Sequence, residues 1–436
     1  MDRLAQLFDF LNAGVSPWHA AAKAAALLDE AGFIRLEDAA YWNLEPGQSY
    51  YTTRNGSSVI AWRIPAHAIG GWRITASHSD SPTWRIKNTK IEGSGCCRLE
   101  TEGYGGMNMA SWLDRPLTVA GRAIVRNADG DGLESRLVYL DRDLLVIPSL
   151  AIHMDRDVNK GHNYNPQVDM QPLYGAAGCR PLTGLIAESL GCRADDIVDS
   201  DLILATRQQA TVVGPEGEFF LSPRIDDLAC AATTLLGFLE VGAGTDDACA
   251  PVWAMLDNEE VGSGTRQGAF GHFLRDTLDR IFDAIPHSGQ GQYRALANSF
   301  CLSADNAHAT HPNFPEKADP ANPVRMNGGV VLKVNASQKY TTSGLTGAVL
   351  REVCRLAGVP VQLFANRADM PGGSTLGNLQ SMSLPIPMAD IGLAQLGMHA
   401  AVETAGTRDV EAMVRVIAQF YRTHLRALAD GAYTLE

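Results

Sequence analysis

Side chains that bind divalent metals or transfer protons stand at five places in this sequence, each beside a run of residues typical of a β-strand or a helix start. They are histidine, aspartate and glutamate, a mixed nitrogen and oxygen donor set that suits zinc, manganese or cobalt. An odd number of ligands fits two ions that share one carboxylate and hold a water between them. The five segments are His78-Ser79-Asp80, Arg224-Ile225-Asp226-Asp227, Asp257-Asn258-Glu259-Glu260, Asp305-Asn306-Ala307-His308, and Met398-His399 with Glu403 nearby.

The first two segments, taken singly, also have plainer interpretations. His78 and Asp80 follow the predicted strand Trp72–Ala76 and face the same side, since side chains alternate along a strand. Such a pair is also a common surface feature. Asp226 and Asp227 open a predicted helix, where acidic residues also serve as a cap that the helix dipole favours.

The remaining segments are equally ambiguous alone. Glu259 and Glu260 stand at the carboxyl end of an apolar strand, where open α/β sheets place ligands, yet solvated loop charge would look the same. His399 lies among apolar neighbours and by itself resembles a core histidine. Only the five segments together favour a metal centre.

The elements that must position these residues alternate between strands and helices from Phe219 onward. This alternation predicts an α/β fold with a mostly parallel sheet sandwiched by helices. Two helices and two strands are predicted before residue 88. The predicted helices are Arg3–Leu11, Pro17–Glu30, Asp226–Leu239, Gly264–Ile281, Gly344–Leu356 and Val410–Leu425, and the predicted strands are Ser58–Ile64, Trp72–Ala76, Pro251–Leu256, Asn298–Leu302, Gly329–Val334 and Pro385–Asp390.

The middle of the chain has a different character, with short β-prone runs at Leu117–Val125 and Arg136–Leu140 and a polar stretch at Asp155–Gln171. We therefore expect residues 1–87 and 219–436 to form a discontinuous catalytic domain. Residues 88–218 would form an inserted β-rich domain that serves oligomerisation or acts as a lid.

Composition narrows the partners and the compartment. The 436 residues carry a formal net charge of −13, which disfavours nucleic acid and anionic membranes because both attract cationic surfaces. The sequence shows neither a secretory signal nor an apolar run long enough for a membrane helix. The eight cysteines form no C-x-x-C pair, so reduced thiols and a cytoplasmic protein are expected.

In their order along nearly the whole chain, these segments resemble the aspartyl aminopeptidase family of dinuclear zinc peptidases. A single departure is Ser79, where that family is expected to have threonine. The segments that carry the resemblance are 78–82, 222–226, 257–263, 303–308 and 398–399.

The resemblance implies two divalent metal ions per subunit, zinc first, with manganese or cobalt as alternatives. It assigns His78 and Asp305 to one ion, Glu260 and His399 to the other, and Asp226 to both. It further implies that Glu259 is the general base and that Asp80 orients the ring of the first histidine.

Substrate recognition is expected from two features of the C-terminal half. Lys333 stands inside an apolar strand, where an unpaired lysine is costly, so it meets either an acidic substrate or a structural carboxylate. The resemblance favours substrate, with Tyr340 nearby. The turn Met370–Thr375, which includes Gly373, would offer helix N–H groups to a substrate carbonyl, or is an ordinary capped helix start.

The resemblance also implies an oligomer built from dimers, possibly a dodecamer, in which His153 of a neighbouring subunit completes the site. Without the resemblance, the sequence around His153 predicts only a surface histidine. His308 and His311 are expected to line the substrate pocket.

The function expected from all this is a metal-dependent aminopeptidase that removes N-terminal residues, preferentially Asp or Glu, from peptides with a free N-terminus. Two alternatives stay open: a related dinuclear aminopeptidase of neutral specificity, and a non-catalytic assembly or cargo-binding homologue. Retention of every expected ligand and of Glu259 argues against the non-catalytic alternative.

Overall fold

The structure is a computed structural model that describes residues 2–127, 129–242 and 249–435. The α-helices are α1 (Arg3–Ala13), α2 (Pro17–Glu30), α3 (Leu182–Leu190), α4 (Ile225–Leu239), α5 (Phe273–Asp283), α6 (Gly291–Ala297), α7 (Gly344–Ala357), α8 (Leu376–Ser383) and α9 (Thr407–Arg422). The strands are β1 (Ile34–Leu36), β2 (Ser49–Arg54), β3 (Ser58–Arg63), β4 (Gly71–His78), β5 (Thr83–Gly93), β6 (Cys96–Tyr104), β7 (Leu117–Arg126), β8 (Leu133–Tyr139), β9 (Leu173–Ala176), β10 (Ile197–Thr206), β11 (Thr211–Val213), β12 (Phe219–Ser222), β13 (Cys249–Leu256), β14 (Phe300–Ala304), β15 (Ala307–His308), β16 (Val330–Val334), β17 (Val361–Ala365), β18 (Met388–Gly392), β19 (Ala394–Leu396), β20 (Glu403–Gly406), β21 (Leu425–Ala429) and β22 (Ala432–Leu435).

The chain divides into two compact units. The first unit comprises Met1–Asp80, Ala210–Met398 and Glu403–Glu436, and the second comprises Ser81–Gln209 and His399–Val402. Both main boundaries fall earlier in the chain than the expected 87/88 and 218/219. That the second unit serves oligomerisation or acts as a lid stays a prediction.

The first unit is built on a nine-stranded sheet in the order β1-β2-β3-β13-β4-β14-β18-β16-β17. The pairs β1–β2, β13–β4, β4–β14, β14–β18 and β16–β17 are parallel, and the pairs β2–β3, β3–β13 and β16–β18 are antiparallel. A mixed α/β architecture around a large sheet is thereby confirmed. A second sheet of this unit has the order β11-β12-β20-β19-β15.

Alternate residues of the central strands enter two different hydrophobic clusters. Val59 and Trp253 belong to a cluster that includes residues of α1, α2, α4, α7 and α9. Their neighbours Ile60 and Val252 belong to another, which includes residues of α5 and α8. Because the side-chain period of a strand is two, strands with apolar residues on both sides read as continuous apolar runs, which is why the sequence revealed them.

Two predicted helix bounds are wrong. Helix α5 begins at Phe273 and not at residue 264. A Cβ atom at Gly268 would lie 2.4 Å from the carbonyl oxygen of Ser263, so a tight turn that accepts only glycine occupies the start of the predicted helix. Helix α9 ends at Arg422, and Leu425 instead begins β21, where its carbonyl accepts a hydrogen bond from the buried Arg73.

The second unit is built on an antiparallel sheet in the order β8-β7-β10-β5-β6-β9. Trp84, Leu99 and Val119 are among its fully buried side chains. The polar stretch 155–171 contains no strand, one short 3-10 helix at Val158–Lys160, and mostly exposed residues. Among the described residues, no helix combines the length and apolar character needed to span a membrane.

Candidate metal centre

Three parallel neighbours in the large sheet bring most of the predicted ligands to one edge. Strand β4 lies between β13 and β14 and runs parallel to both. His78 is the last residue of β4, and Asp305 directly follows β14. Glu259 and Glu260 lie in the turn after β13, which ends at Leu256. Parallel strands share their carboxyl edge, which is where open α/β sheets bind ligands.

The start of helix α4 contributes the remaining carboxylates of this group. The Asp226–Asp227 peptide bond is cis, and both residues have φ/ψ values outside the helical region. Ligand atoms of His78, Asp226, Asp227 and Asp305 all lie within 4.8 Å of one another.

His78 is held between two aspartates. Its Nε2 atom lies 3.6 Å from Oδ1 of Asp226, whereas its Nδ1 atom lies 3.0 Å from the carbonyl oxygen of Asp80 and 3.3 Å from its Oδ1. The carboxylate of Asp80 also accepts hydrogen bonds of 3.1 Å from the backbone N–H groups of Glu259 and Glu260. Asp80 therefore fixes both the ring orientation of the histidine and the start of the two-glutamate turn.

Burial raises the pKa of several carboxyl groups in and beside this cluster. It raises the pKa of Glu259 to about 8, and the pKa values of Glu260 and Asp227 well above their ordinary range, with repulsion from neighbouring carboxylates adding to the effect. Burial lowers the pKa of His78, but its hydrogen bonds to Asp226 and Asp80 raise that pKa well above its ordinary value.

The donor chemistry fits a divalent cation. Several carboxylates and one imidazole face one another in a region removed from water, and an ion pair or metal is what makes such burial tolerable. Within the described residues, the buried Oδ1 atom of Asp227 has no hydrogen-bond partner, so an acceptor atom is available for a cation.

Lys333 is placed beside this cluster. Its ammonium group donates hydrogen bonds to the carbonyl oxygens of Asp305 (2.6 Å) and Asn306 (3.2 Å) and lies 3.5 Å from Oδ1 of Asp305. It also lies 5.3 Å from the ring centre of Tyr340. Of the two partners that the sequence left open for Lys333, the structural carboxylate is present: it is Asp305. Lys333 therefore supports the segment that carries Asp305.

Three of the residues expected at the substrate pocket line a common cavity of about 320 Å³. His308, His311 and Gly373 face this cavity together with Lys317 and Arg367. A Cβ atom at Gly373 would meet nothing within 4 Å, so the position is open toward solvent.

Two predicted site residues belong to the second unit. His153 lies in an exposed turn. His399 lies in the short segment His399–Val402, where its Nδ1 atom is 2.6 Å from the carbonyl oxygen of Gly106 and its own carbonyl accepts from the N–H of Asn108. Within the second unit, His153 is therefore exposed, and His399 is held by hydrogen bonds to the segment of Gly106 and Asn108.

Sequence reasoning did not select Asp227 as a ligand, although it is adjacent to Asp226. It also assigned no role to three buried polar residues. Asn306 and Glu403 hydrogen-bond to the segment of Asp226, and Gln395 connects these two side chains. Glu403 stands close to His399 in the sequence, which was the one available signal.

A buried cluster of histidine and carboxylates at the carboxyl edge of an α/β sheet is the kind of site that metal-dependent hydrolases use. Residues 10–421 match the sequence profile of the family described as Aminopeptidase I zinc metalloprotease (M18). The chain belongs to this M18 family and is a metallo-aminopeptidase, which confirms the resemblance to a zinc aminopeptidase family.

Individual relatives of this chain carry the same family name. The chain is 40% identical over 425 residues, 95% of this chain and 98% of the relative, to a probable M18 family aminopeptidase 2 of Clostridium acetobutylicum. It is 38% identical over 428 residues, 96% and 97% of the two chains, to the protein of the same name from Pseudomonas fluorescens.

Among solved structures, one chain from the cryo-EM structure of the Ape4 and Nbr1 complex superposes with a TM-score of 0.93 at 33% identity, covering 96% of this chain and 85% of that one. The S. cerevisiae mApe1 dodecamer superposes with a TM-score of 0.85 at 26% identity, covering 97% and 96%.

Proposed function

We propose that this enzyme uses two divalent metal ions, zinc in the first instance, to remove N-terminal residues, preferentially Asp or Glu, from peptides. The observation that carries the proposal is the cluster of His78, Asp226, Asp227 and Asp305 ligand atoms within 4.8 Å. When bound, the ions would supply an acidified water and a polarised substrate carbonyl.

The proposed ligand set follows the family resemblance. His78 and Asp305 would hold one ion, Glu260 and His399 the other, and Asp226 both. Manganese or cobalt would fit the same donors.

Glu259 is the proposed general base. Its side chain is mostly buried beside the cluster, and burial raises its pKa to about 8 in the metal-free protein. Bound cations would lower that pKa and leave the carboxylate ionised, so that it can accept a proton. It would take a proton from the attacking water and deliver it to the leaving amine. Asp80 sets the direction of this side chain through the backbone N–H of Glu259.

The preference for acidic N-terminal residues rests on positive charge near the cluster. Although burial lowers the pKa of Lys333, the charge of Asp305 raises it above its ordinary value, so the ammonium stays protonated in the interior, with Tyr340 beside it. The cavity of His308 and Gly373 also contains Lys317 and Arg367, which adds cationic groups to attract a carboxylate.

The same proposal covers organisation. Residues 1–87 and 219–436 would be the discontinuous catalytic domain, with its sheet between helical layers, and 88–218 the inserted domain. The enzyme would act in the cytoplasm as a homo-oligomer built from dimers, with His153 of a neighbouring subunit completing the site. A dodecamer is the form described for one similar structure.

One experiment tests the function. Purified protein is analysed for metal, assayed on a panel of aminoacyl anilides, stripped with a chelator, and assayed again after zinc is restored. We expect hydrolysis of Asp and Glu anilides that disappears with the metal and returns with it. Preference for Leu would leave a neutral aminopeptidase. Zinc binding without hydrolysis of any anilide or peptide would leave the non-catalytic alternative.

The same samples report the stability that metal binding contributes. At free zinc of about 1,000 times Kd, binding to the folded state alone adds roughly 4 kcal/mol to the free energy of unfolding. Urea unfolding with and without zinc measures it, and equal midpoints would refute a metal site in the folded protein.

A further inference from the structure

Three buried polar side chains lie behind the carboxylate cluster. Asn306, Gln395 and Glu403 are 3%, 1% and 2% exposed. Asn306 directly follows Asp305, and Gln395 and Glu403 lie on the neighbouring antiparallel strands β19 and β20. Together they connect the segment of Asp305 to the segment of Asp226.

Backbone groups fix the direction of the hydrogen bonds at Asn306. Its Nδ2 atom donates to the carbonyl of Ile225 (2.8 Å), and its Oδ1 atom accepts from the N–H of Leu393 (3.3 Å). Since a carbonyl only accepts and an N–H only donates, the side-chain amide has one possible orientation. In that orientation, Nδ2 also donates to Oε1 of Gln395 (2.7 Å).

The series of hydrogen bonds that starts at Asn306 ends at Glu403. With its oxygen facing Asn306, Gln395 presents its Nε2 donor to Oε1 of Glu403 at 3.2 Å. The backbone N–H of Asp226 donates to Oε2 of Glu403 at 3.0 Å. Two donors therefore face position 403, and a carboxylate accepts from both, whereas an amide accepts from one and turns its own donor toward the other.

These hydrogen bonds close into a ring around one peptide group. The carbonyl of Ile225 and the N–H of Asp226 belong to the same peptide unit, and Asn306 holds one side of it while Glu403 holds the other. A planar peptide gripped on both sides does not rotate freely. Its orientation sets where the carboxylate of Asp226 points relative to Asp305.

We propose that Glu403 is a positioning residue that, through Gln395 and Asn306, aims Asp226 for metal binding. This inference rests on the proposed metal-dependent function. Neighbouring carboxylates that repel one another in a buried site separate unless the backbone that carries them is restrained. The ring supplies that restraint before any cation arrives, so its loss weakens metal binding more than folding.

The test exchanges hydrogen-bond polarity while keeping side-chain size, and the double variant also keeps the net charge. Glu403→Gln turns an amide donor toward another donor, and Gln395→Glu places two carboxylates face to face. The double variant Gln395→Glu/Glu403→Gln restores the three donor–acceptor pairs of the ring in which these two side chains take part: the new carboxylate accepts from Asn306 and from the new amide, whose oxygen accepts from Asp226. We expect each single variant to lose roughly 10–100-fold in zinc affinity, and the double variant to recover most of it.

The readouts are zinc affinity by competition with a chromophoric chelator and unfolding of the metal-free protein. Gln171→Glu in the second unit is the matched control, since it also puts a carboxylate where a buried amide donates to backbone carbonyls. It should lower stability and leave zinc affinity unchanged. Wild-type zinc affinity in Glu403→Gln, or a double variant no better than the singles, would overturn the proposal. Absence of zinc binding by the wild type would instead refute the proposed function.

Discussion

The two units differ in the charged groups that they bury. The first unit buries the like-charged Asp226, Asp227 and Asp305 together around His78. The second unit places opposite charges side by side on its sheet, as where Arg122 meets Asp201 at 2.8 Å with both side chains partly exposed. Buried like charges oppose folding, whereas partly exposed pairs contribute little. A fold retains the costly arrangement where a cation binds, so charge placement alone locates the functional unit.

The largest expected effect comes from the base at the edge of the buried cluster. Glu259→Gln should reduce kcat by about 10²–10⁴-fold, since it removes proton transfer, while zinc content measured by mass spectrometry stays unchanged. Glu134→Gln in the second unit changes a carboxylate that pairs with Arg136 on the surface and should leave kcat as it is. Full activity of Glu259→Gln would eliminate it as the base.

The next prediction concerns Lys333, the buried lysine beside the carboxylate cluster of the first unit. Lys333→Met leaves the carboxylate of Asp305 without the ammonium 3.5 Å away, and breaking a buried ion pair costs roughly 3–5 kcal/mol. Urea unfolding in the presence of a chelator measures that loss. The ratio of kcat/KM for Asp and Leu anilides in the zinc-loaded variant should fall as well.

The control is Lys160→Met, which removes an exposed ion pair with Asp157 in the second unit and should change neither quantity. Lost stability with an unchanged Asp-to-Leu ratio would show that Lys333 has only the structural role. A lower Asp-to-Leu ratio of kcat/KM at unchanged stability would show that Lys333 acts only in substrate recognition.

Outside the cluster, the first unit also buries a histidine, His19, in its neutral form. Burial, aided by the charge of Arg224, lowers the pKa of His19 to about 4. The unfolded chain binds this proton at higher pH than the folded protein does, so the stability contribution is complete above the unfolded pKa of about 6.5 and is lost as pH falls toward 4.

Replacing His19 by Gln should remove that dependence. The change amounts to about 3 kcal/mol between pH 6.5 and 4. Unfolding of zinc-free wild type and His19→Gln across this range isolates it, because the carboxylates titrate in both proteins. Parallel pH profiles for the two proteins would contradict a buried neutral histidine.

The parts of this molecule that sequence predicted are those that local pattern determines. His78 and the pair Glu259 and Glu260 were placed at strand ends because an uninterrupted apolar run directly precedes them. The start of α2 was predicted because Ser16 caps the helix and proline follows it. Such features need only a few neighbouring residues.

The parts that sequence did not reveal depend on residues far apart. The ring at Glu403 joins segments near residues 226, 306 and 395, and no one of these segments shows the pairing. The partner of Lys333 was likewise left open, since its strand shows only that a charge is buried. Helix α5 was begun too early because close backbone approach at Gly268 is a tertiary constraint.

The smallest expected effect tests the other side of the comparison. Asp201 in β10 stands directly opposite Arg122 in β7 and also lies 3.3 Å from Arg85, so this carboxylate has two arginine partners. Cross-strand pairs of this kind contribute about 0.2–1 kcal/mol, because water screens them. Asp201→Asn should therefore lower the free energy of unfolding by less than about 1 kcal/mol, and 0.5 M salt should narrow the difference. The same change at Asp305 should remove zinc binding. A loss at Asp201 as large as that caused by Lys333→Met would mean that charge pairing stabilises both units alike, and charge placement would then not identify the functional one.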